Sequence, residues 1–159
     1  MEWMILPFKR YADFQGRSRR MEYWMFALLN FLVALVLAGP FAFSYISAMI
    51  AAAGDPAAEE SAMIAIMEGG LSLSMIGIVL YVLYALAAFI PSIAVTVRRF
   101  HDRDMSGWWY LGIAVASLLP LVGFIASIAL LVLMVLPGTP GPNRFGSDPK
   151  DPYAADVFA

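Results

Sequence analysis

Cysteine is absent from the 159 residues, and histidine occurs once, as His101. Disulfides, zinc–thiolate sites and thiol catalysis are therefore excluded, and one imidazole cannot assemble a multi-histidine metal centre. Charge is scarce: Asp, Glu, Lys and Arg make up 14% of the chain, against roughly 25% in ordinary globular proteins. The formal net charge is −2, without the basic excess that nucleic-acid binding needs. No Gly-Lys-Ser/Thr closes a phosphate loop, and no nucleophile sits beside a base. No cofactor and no metal are expected.

What is present is apolar. Hydrophobic residues make up 62% of the chain, more than a soluble domain of this length can hide from water. Three stretches carry no charge at all: Tyr23 to Gly54, Leu71 to Val97 and Met105 to Asn143. A membrane-spanning helix needs about 20 apolar residues, because the hydrocarbon core is roughly 30 Å thick and a helix rises about 1.5 Å per residue. None of the three alternates apolar and polar residues as a barrel strand would. The pattern predicts an all-α integral membrane protein, one membrane domain over residues 1–159. Three helical passes are expected, near Tyr23–Ile46, Leu73–Val97 and Trp108–Leu136, between a basic-aromatic segment at 1–22 and a turn-rich tail at 137–159. The first pass is read as a retained helix rather than a signal peptide, since about 20 aromatic and charged residues precede it.

Basic residues stay on the cytoplasmic side of a membrane. Lys9, Arg10, Arg17, Arg19 and Arg20 precede the first pass, and Arg98, Arg99 and Arg103 follow the second. The 55–70 loop between these passes has Asp55, Glu59, Glu60 and Glu68 and no basic residue. The N-terminus and the second loop should therefore face the cytoplasm and the acidic loop the outside. Tyr23 and Trp24, and Trp108, Trp109 and Tyr110, fall where an interfacial aromatic belt belongs.

Prolines interrupt each pass, at Gly39-Pro40, at Pro91, and at Pro120 with Gly123. The last interruption leaves two arrangements open. Three full passes put the tail outside, with Arg144 and Lys150 against the charge rule. Two half-length helices turning at 120–123 form a re-entrant hairpin and return the tail to the cytoplasm. Three full passes are the reading favoured here.

The most chemically loaded segment is Arg98-Arg99-Phe100-His101-Asp102-Arg103-Asp104, followed by Ser106-Gly107-Trp108-Trp109. Arginine forks match phosphate oxygens, so this segment, Arg17, Arg19, Arg20, and Asn143-Arg144 of the tail are candidates for an anionic head group or a partner. The alternative is a topology anchor in which the acidic neighbours pair locally. Asp13 and Glu22 are candidate partners for the arginines of the second loop.

Several of these motifs occur in an order that resembles a known family: Phe-Gln-Gly-Arg-Ser-Arg-Arg-Met-Glu-Tyr-Trp (Phe14–Trp24), Ile90-Pro91-Ser92, Arg98-Arg99-Phe100-His101-Asp102, Pro120-Leu121-Val122-Gly123, and the Pro137–Pro149 tail. The chain resembles the YhaH-like family of bacterial inner-membrane proteins, a domain of unknown function numbered 805. The resemblance covers nearly the whole chain. It implies a bacterial inner-membrane location and a small helical fold, and no activity. The 55–70 loop departs from the family by its length and acidity.

Three functions compete. The first is a non-enzymatic membrane protein whose cytoplasmic basic-aromatic face engages anionic lipid or a partner. The second is a subunit of a homo-oligomeric transporter or channel, since three passes are too few for an inverted repeat. The third is an interfacial enzyme with His101 and Asp102 as acid–base pair. The lipid bilayer is the one partner common to all.

Overall fold

The computed structural model describes residues 2–68 and 73–151. Met1, positions 69 and 70 of the expected acidic loop, and 152–159 of the expected tail lie outside the described residues. Among the described residues every regular element is a helix: α1 (Glu2–Lys9), α2 (Arg20–Leu37), α3 (Gly39–Ala52), α4 (Pro56–Glu68), α5 (Leu73–His101), α6 (Trp108–Ala116) and α7 (Pro120–Val135). The chain forms two compact units, Met1–Leu28 with Ala88–Ala159, and Leu29–Ala87.

The expected first pass, 23–46, is divided. α2 ends at Leu37 and α3 begins at Gly39, with Pro40 in its first turn. Proline has no N–H for the carbonyl four residues back, so the helical hydrogen bonding is interrupted there. Ala38 itself stays helical (φ −94°, ψ −21°). The acidic segment expected as a loop is largely a helix, α4. Its start is fixed by Asp55, whose carboxylate accepts the N–H groups of Ala57 (3.0 Å) and Ala58 (3.4 Å), with Pro56 in the first helical position. α3 and α4 pack on each other within their unit. In the same unit the Tyr84 hydroxyl donates to Asn30 Oδ1 at 3.1 Å, a polar tie between α5 and α2.

α5 contains the expected second pass and runs on to His101, 29 residues or about 43 Å. It continues through a buried Pro91. Beside that proline the Ser92 hydroxyl bonds the Ala88 carbonyl and the Thr96 hydroxyl bonds the Ser92 carbonyl, each at 2.7 Å, the kind of local satisfaction that lets a helix carry proline in an apolar setting.

The expected third pass, 108–136, is two helices. Pro120 disfavours a helical conformation for the residue before it, and Leu119 is extended (φ −98°, ψ 122°). α6 has 9 residues and α7 has 16, about 14 and 24 Å, each short of a roughly 30 Å hydrocarbon core. They pack on each other, and Gly123 permits it: a Cβ there would lie 2.8 Å from the Ser117 carbonyl oxygen. α7 ends beside the last turn of α5, because Arg99 donates to the carbonyls of Met134 and Leu136. Two helices among the described residues are long and apolar enough to cross a membrane, Arg20–Leu37 and Met75–His101.

Candidate functional site

The sequence places Arg17 and Ser18 just before α2, Glu22 in its first turn, and Arg98, Arg99 and Asp102 at the end of α5. The structure buries all six. Buried charge is costly unless it is paired and fully hydrogen-bonded, and here it is paired across the chain. Arg98 Nη2 lies 2.8 Å from Glu22 Oε1, and the other Glu22 oxygen accepts the Ser18 hydroxyl at 2.6 Å. Asp102 is a hub. Its Oδ1 accepts from Arg17 Nε at 3.0 Å and Nη2 at 2.9 Å, and its Oδ2 accepts from Arg99 Nη1.

Three arginines against two carboxylates leave one excess positive charge, and main-chain carbonyls absorb it. Arg17 donates to the carbonyls of Thr139 and Gly141, each at 2.6 Å. Arg98 donates to the Asp13 carbonyl. Arg99 caps the exposed carbonyls at the C-terminus of α7, where a cation also meets the negative end of the helix dipole. The pairing of Glu22 with a second-loop arginine matches the sequence expectation. Asp13 instead holds Arg10, at 2.7 Å. Burial pushes the Asp13 carboxyl up, but the Arg10 hydrogen bond, the Gln15 N–H and nearby cationic charge outweigh it and hold the group below its usual range.

The tail locks onto this cluster. Thr139 N–H donates to the Asp102 carbonyl at 2.8 Å, and Asn143 Nδ2 donates to the His101 carbonyl at 2.9 Å. Gly138 presses against Asp102 so closely that a Cβ there would overlap its carboxylate. The Phe145 ring stacks on His101 with centroids 3.9 Å apart, and His101 Nδ1 lies 3.2 Å from the Gly16 carbonyl. Asp148 accepts the N–H groups of Lys150 (2.9 Å) and Gly141 (3.0 Å). The Lys150 N–H has the largest effect on its carboxyl; burial pushes the group up, but the Lys150 and Gly141 N–H groups together with the charges of Arg17 and Lys150 hold it below the ordinary value.

The eleven candidate residues therefore fall into three environments. Arg17, Arg98, Arg99 and Asp102 are interior and bonded to one another or to main chain. His101 and Asn143 form the seam between tail and α5. Arg19, Arg20, Arg144, Trp108 and Trp109 lie at or near the surface, the two tryptophans 77% and 58% exposed. Arg144 pairs with Asp104 at 3.2 Å. The His101–Asp102 acid–base geometry does not form, since Asp102 serves Arg17 and Arg99 while the His101 ring faces Phe145 and Gly16. Among the described residues no three His, Asp or Glu side chains converge as metal ligands.

Sequence reasoning missed a cavity of about 420 Å³ in this unit, lined in part by Trp3, Lys9, Arg10, Arg19, Glu22 and Phe145. The mixed basic-aromatic composition of residues 3–19 was its only signal.

Among the described residues every regular element is a helix, and two are long and apolar enough to cross a membrane, which is the class of a small helical membrane protein. Its family follows from comparison with known proteins. The family described as "Protein of unknown function (DUF805)" matches residues 11–147, and the chain belongs to that family. It is 35% identical over 150 residues to the inner membrane protein YhaI of Escherichia coli strain K12, covering 94% of this chain and 97% of that protein. It is likewise 35% identical over 150 residues to the inner membrane protein YhaH of the same strain, covering 94% and 98%. An uncharacterized E. coli protein, YiiR, is 36% identical over 85 residues, covering 42% of this chain and 58% of its own length. No solved structure matches the chain. The matched region contains the whole ionic cluster and leaves out α1.

Proposed function

We propose that the protein is a non-enzymatic component of the bacterial inner membrane whose cytoplasmic face engages anionic lipid head groups. In this reading α2 and α5 cross the bilayer, α6 and α7 enter it as a re-entrant hairpin, and the N-terminal segment and the tail both lie in the cytoplasm. The observation that carries it is the distribution of charge. All ten Lys and Arg residues belong to the unit built from Met1–Leu28 and Ala88–Ala159, against eight Asp and Glu, for a net +2. The Leu29–Ala87 unit has no basic residue and four acidic ones. The positive-inside rule then assigns the tail to the same side as the N-terminus.

Arg17, Arg98 and Arg99 serve the fold in this reading. The head-group contacts come from Arg20, Arg103 and Arg144, with Trp108 and Trp109 at head-group depth. A basic residue near an anionic surface contributes about 1 kcal/mol, so these three offer about 3 kcal/mol, less whatever Asp104 takes from Arg144.

Two measurements test the proposal. Paired reporters fused after Ala159, one active only in the cytoplasm and one only in the periplasm, should report a cytoplasmic tail; a periplasmic tail refutes the topology. Native mass spectrometry of the purified chain should find bound phosphatidylglycerol, reduced in the Arg20→Gln/Arg103→Gln double variant. Equal retention by both proteins refutes the lipid contact.

A further inference from the structure

We infer that the cavity beside α1 is a binding site for a phosphate ester carrying a small apolar group. Its volume of about 420 Å³ lies within the range of small-molecule sites, roughly 300–1,000 Å³. Its lining divides by chemistry. Trp3, Leu6 and Phe145 are apolar, and Lys9, Arg10 and Arg19 are basic.

The basic wall has donors to spare. Arg19 uses Nε on the Pro149 carbonyl and lays its guanidinium over Trp3, 5.4 Å from the ring centroid. Among the described residues its two terminal nitrogens have no hydrogen-bond partner, and Lys9 has no ion pair. Arg10 is half engaged, with Nε and Nη2 on Asp13. Of the other three charges at the cavity wall two are already spent: Arg17 on Asp102 and the tail carbonyls, and Glu22 on Arg98 and Ser18. Among the described residues that line the cavity the uncommitted charge is thus positive, opposed by Glu2. A guanidinium fork and an ammonium converging on one space suit the several oxygens of a phosphate better than the two of a carboxylate. Trp3, held in place by its stack with Arg19, gives the rest of the ligand a flat apolar surface.

The inference rests on the reading above for the side from which the ligand arrives, and on the cavity alone for its chemistry. The same phosphate chemistry has two sources, the head group of an anionic phospholipid and a soluble organic phosphate. The test is isothermal titration of the full chain in a neutral maltoside detergent, with phenyl phosphate in one arm and dihexanoyl phosphatidylglycerol in the other. The variants are Lys9→Gln, Arg19→Gln, and Lys150→Gln as a charge control whose residue is not part of the cavity lining. Losing one charge-assisted contact should weaken binding about tenfold or more in the first two variants and leave the third unchanged. Binding of phenyl phosphate alone with this pattern identifies a soluble ligand. Binding of the lipid alone identifies a head group, and binding of both makes the phosphate itself the determinant. Failure of both compounds to bind, or equal affinity in all four proteins, overturns the inference. Arg20 and Arg103 do not line the cavity, so a lipid face that fails its own test leaves this result standing.

Discussion

Replacing Asp102 by Asn should release the tail while leaving the membrane helices folded. The side chain keeps its shape, but its charge goes, and one of its oxygens becomes an NH2 group facing a guanidinium. Three arginine N–H groups lose a carboxylate acceptor: Nε and Nη2 of Arg17, at 3.0 and 2.9 Å, and Nη1 of Arg99. Both arginines are shielded, with side-chain exposures of 1% and 0%. Removing one partner of a buried pair costs about 3–5 kcal/mol, because the other charge stays buried without compensation. Each 1.4 kcal/mol is about a factor of ten, so the local opening equilibrium should rise by roughly two to four orders of magnitude. Limited trypsin digestion reads this directly, at Arg144 and Lys150. In detergent, wild-type protein should resist cleavage there, and Asp102→Asn should be cut at these sites before the α2–α5 region is lost. A change worth less than about 1 kcal/mol, the size of an exposed pair, would refute the reasoning. It would mean that water reaches the cluster.

Three further outcomes follow from the same geometry. Gly123→Val forces side-chain atoms against the Ser117 carbonyl, whose oxygen would lie 2.8 Å from the added Cβ. It should destabilise the α6–α7 hairpin by about 1–3 kcal/mol, seen as a lower thermal midpoint in detergent. Asp55→Ala removes the acceptor for two N–H groups and should cost α4 about 1 kcal/mol, read as faster amide exchange over 56–68. Asp148 has a folded-state pKa below its ordinary 3.8, so its stabilisation is complete above that value and disappears as pH falls through the folded pKa. Trypsin is inactive there, so pepsin should show the wild-type tail losing its advantage over Asp148→Asn only below about pH 3.8.

The long apolar elements were legible because they depend on composition alone. Charge-free runs marked α2 and α5, and Pro120 marked the break that divides the expected third pass into two helices. The extended residue that proline imposes before itself is what separates α6 from α7 there. α4 was missed although Asp55-Pro56 is a cap followed by a favoured first residue. The acidity of the segment drew it toward loop. The interior fate of Arg98 and Arg99 was not legible. Seen locally they are surface arginines at a membrane boundary. They are buried because Glu22 is 76 residues away in sequence and the Met134 and Leu136 carbonyls are 35 and 37 away. Arg17 and Arg19 sit two positions apart and both border the cavity, yet Arg17 is committed to Asp102 and two tail carbonyls while Arg19 spends only Nε, on the Pro149 carbonyl.

The stitching of first segment to last also sets an order of events during synthesis. Arg17 bonds to a side chain made 85 residues later and to carbonyls made 122 and 124 residues later. At about 5–20 residues per second the ribosome needs roughly 6–25 s to deliver those partners. Throughout that interval Arg17 must remain hydrated and charged, which in the topology proposed above leaves it free to act as a retention signal for α2. Arg99 waits for the end of α7 in the same way, whereas the partners of Arg98, Glu22 and the Asp13 carbonyl, are made before it. In the topology proposed above, Arg17 and Arg99 thus serve twice, first as part of the address that orients the nascent helices and then, once the last residues emerge, as the fastening that closes the finished chain.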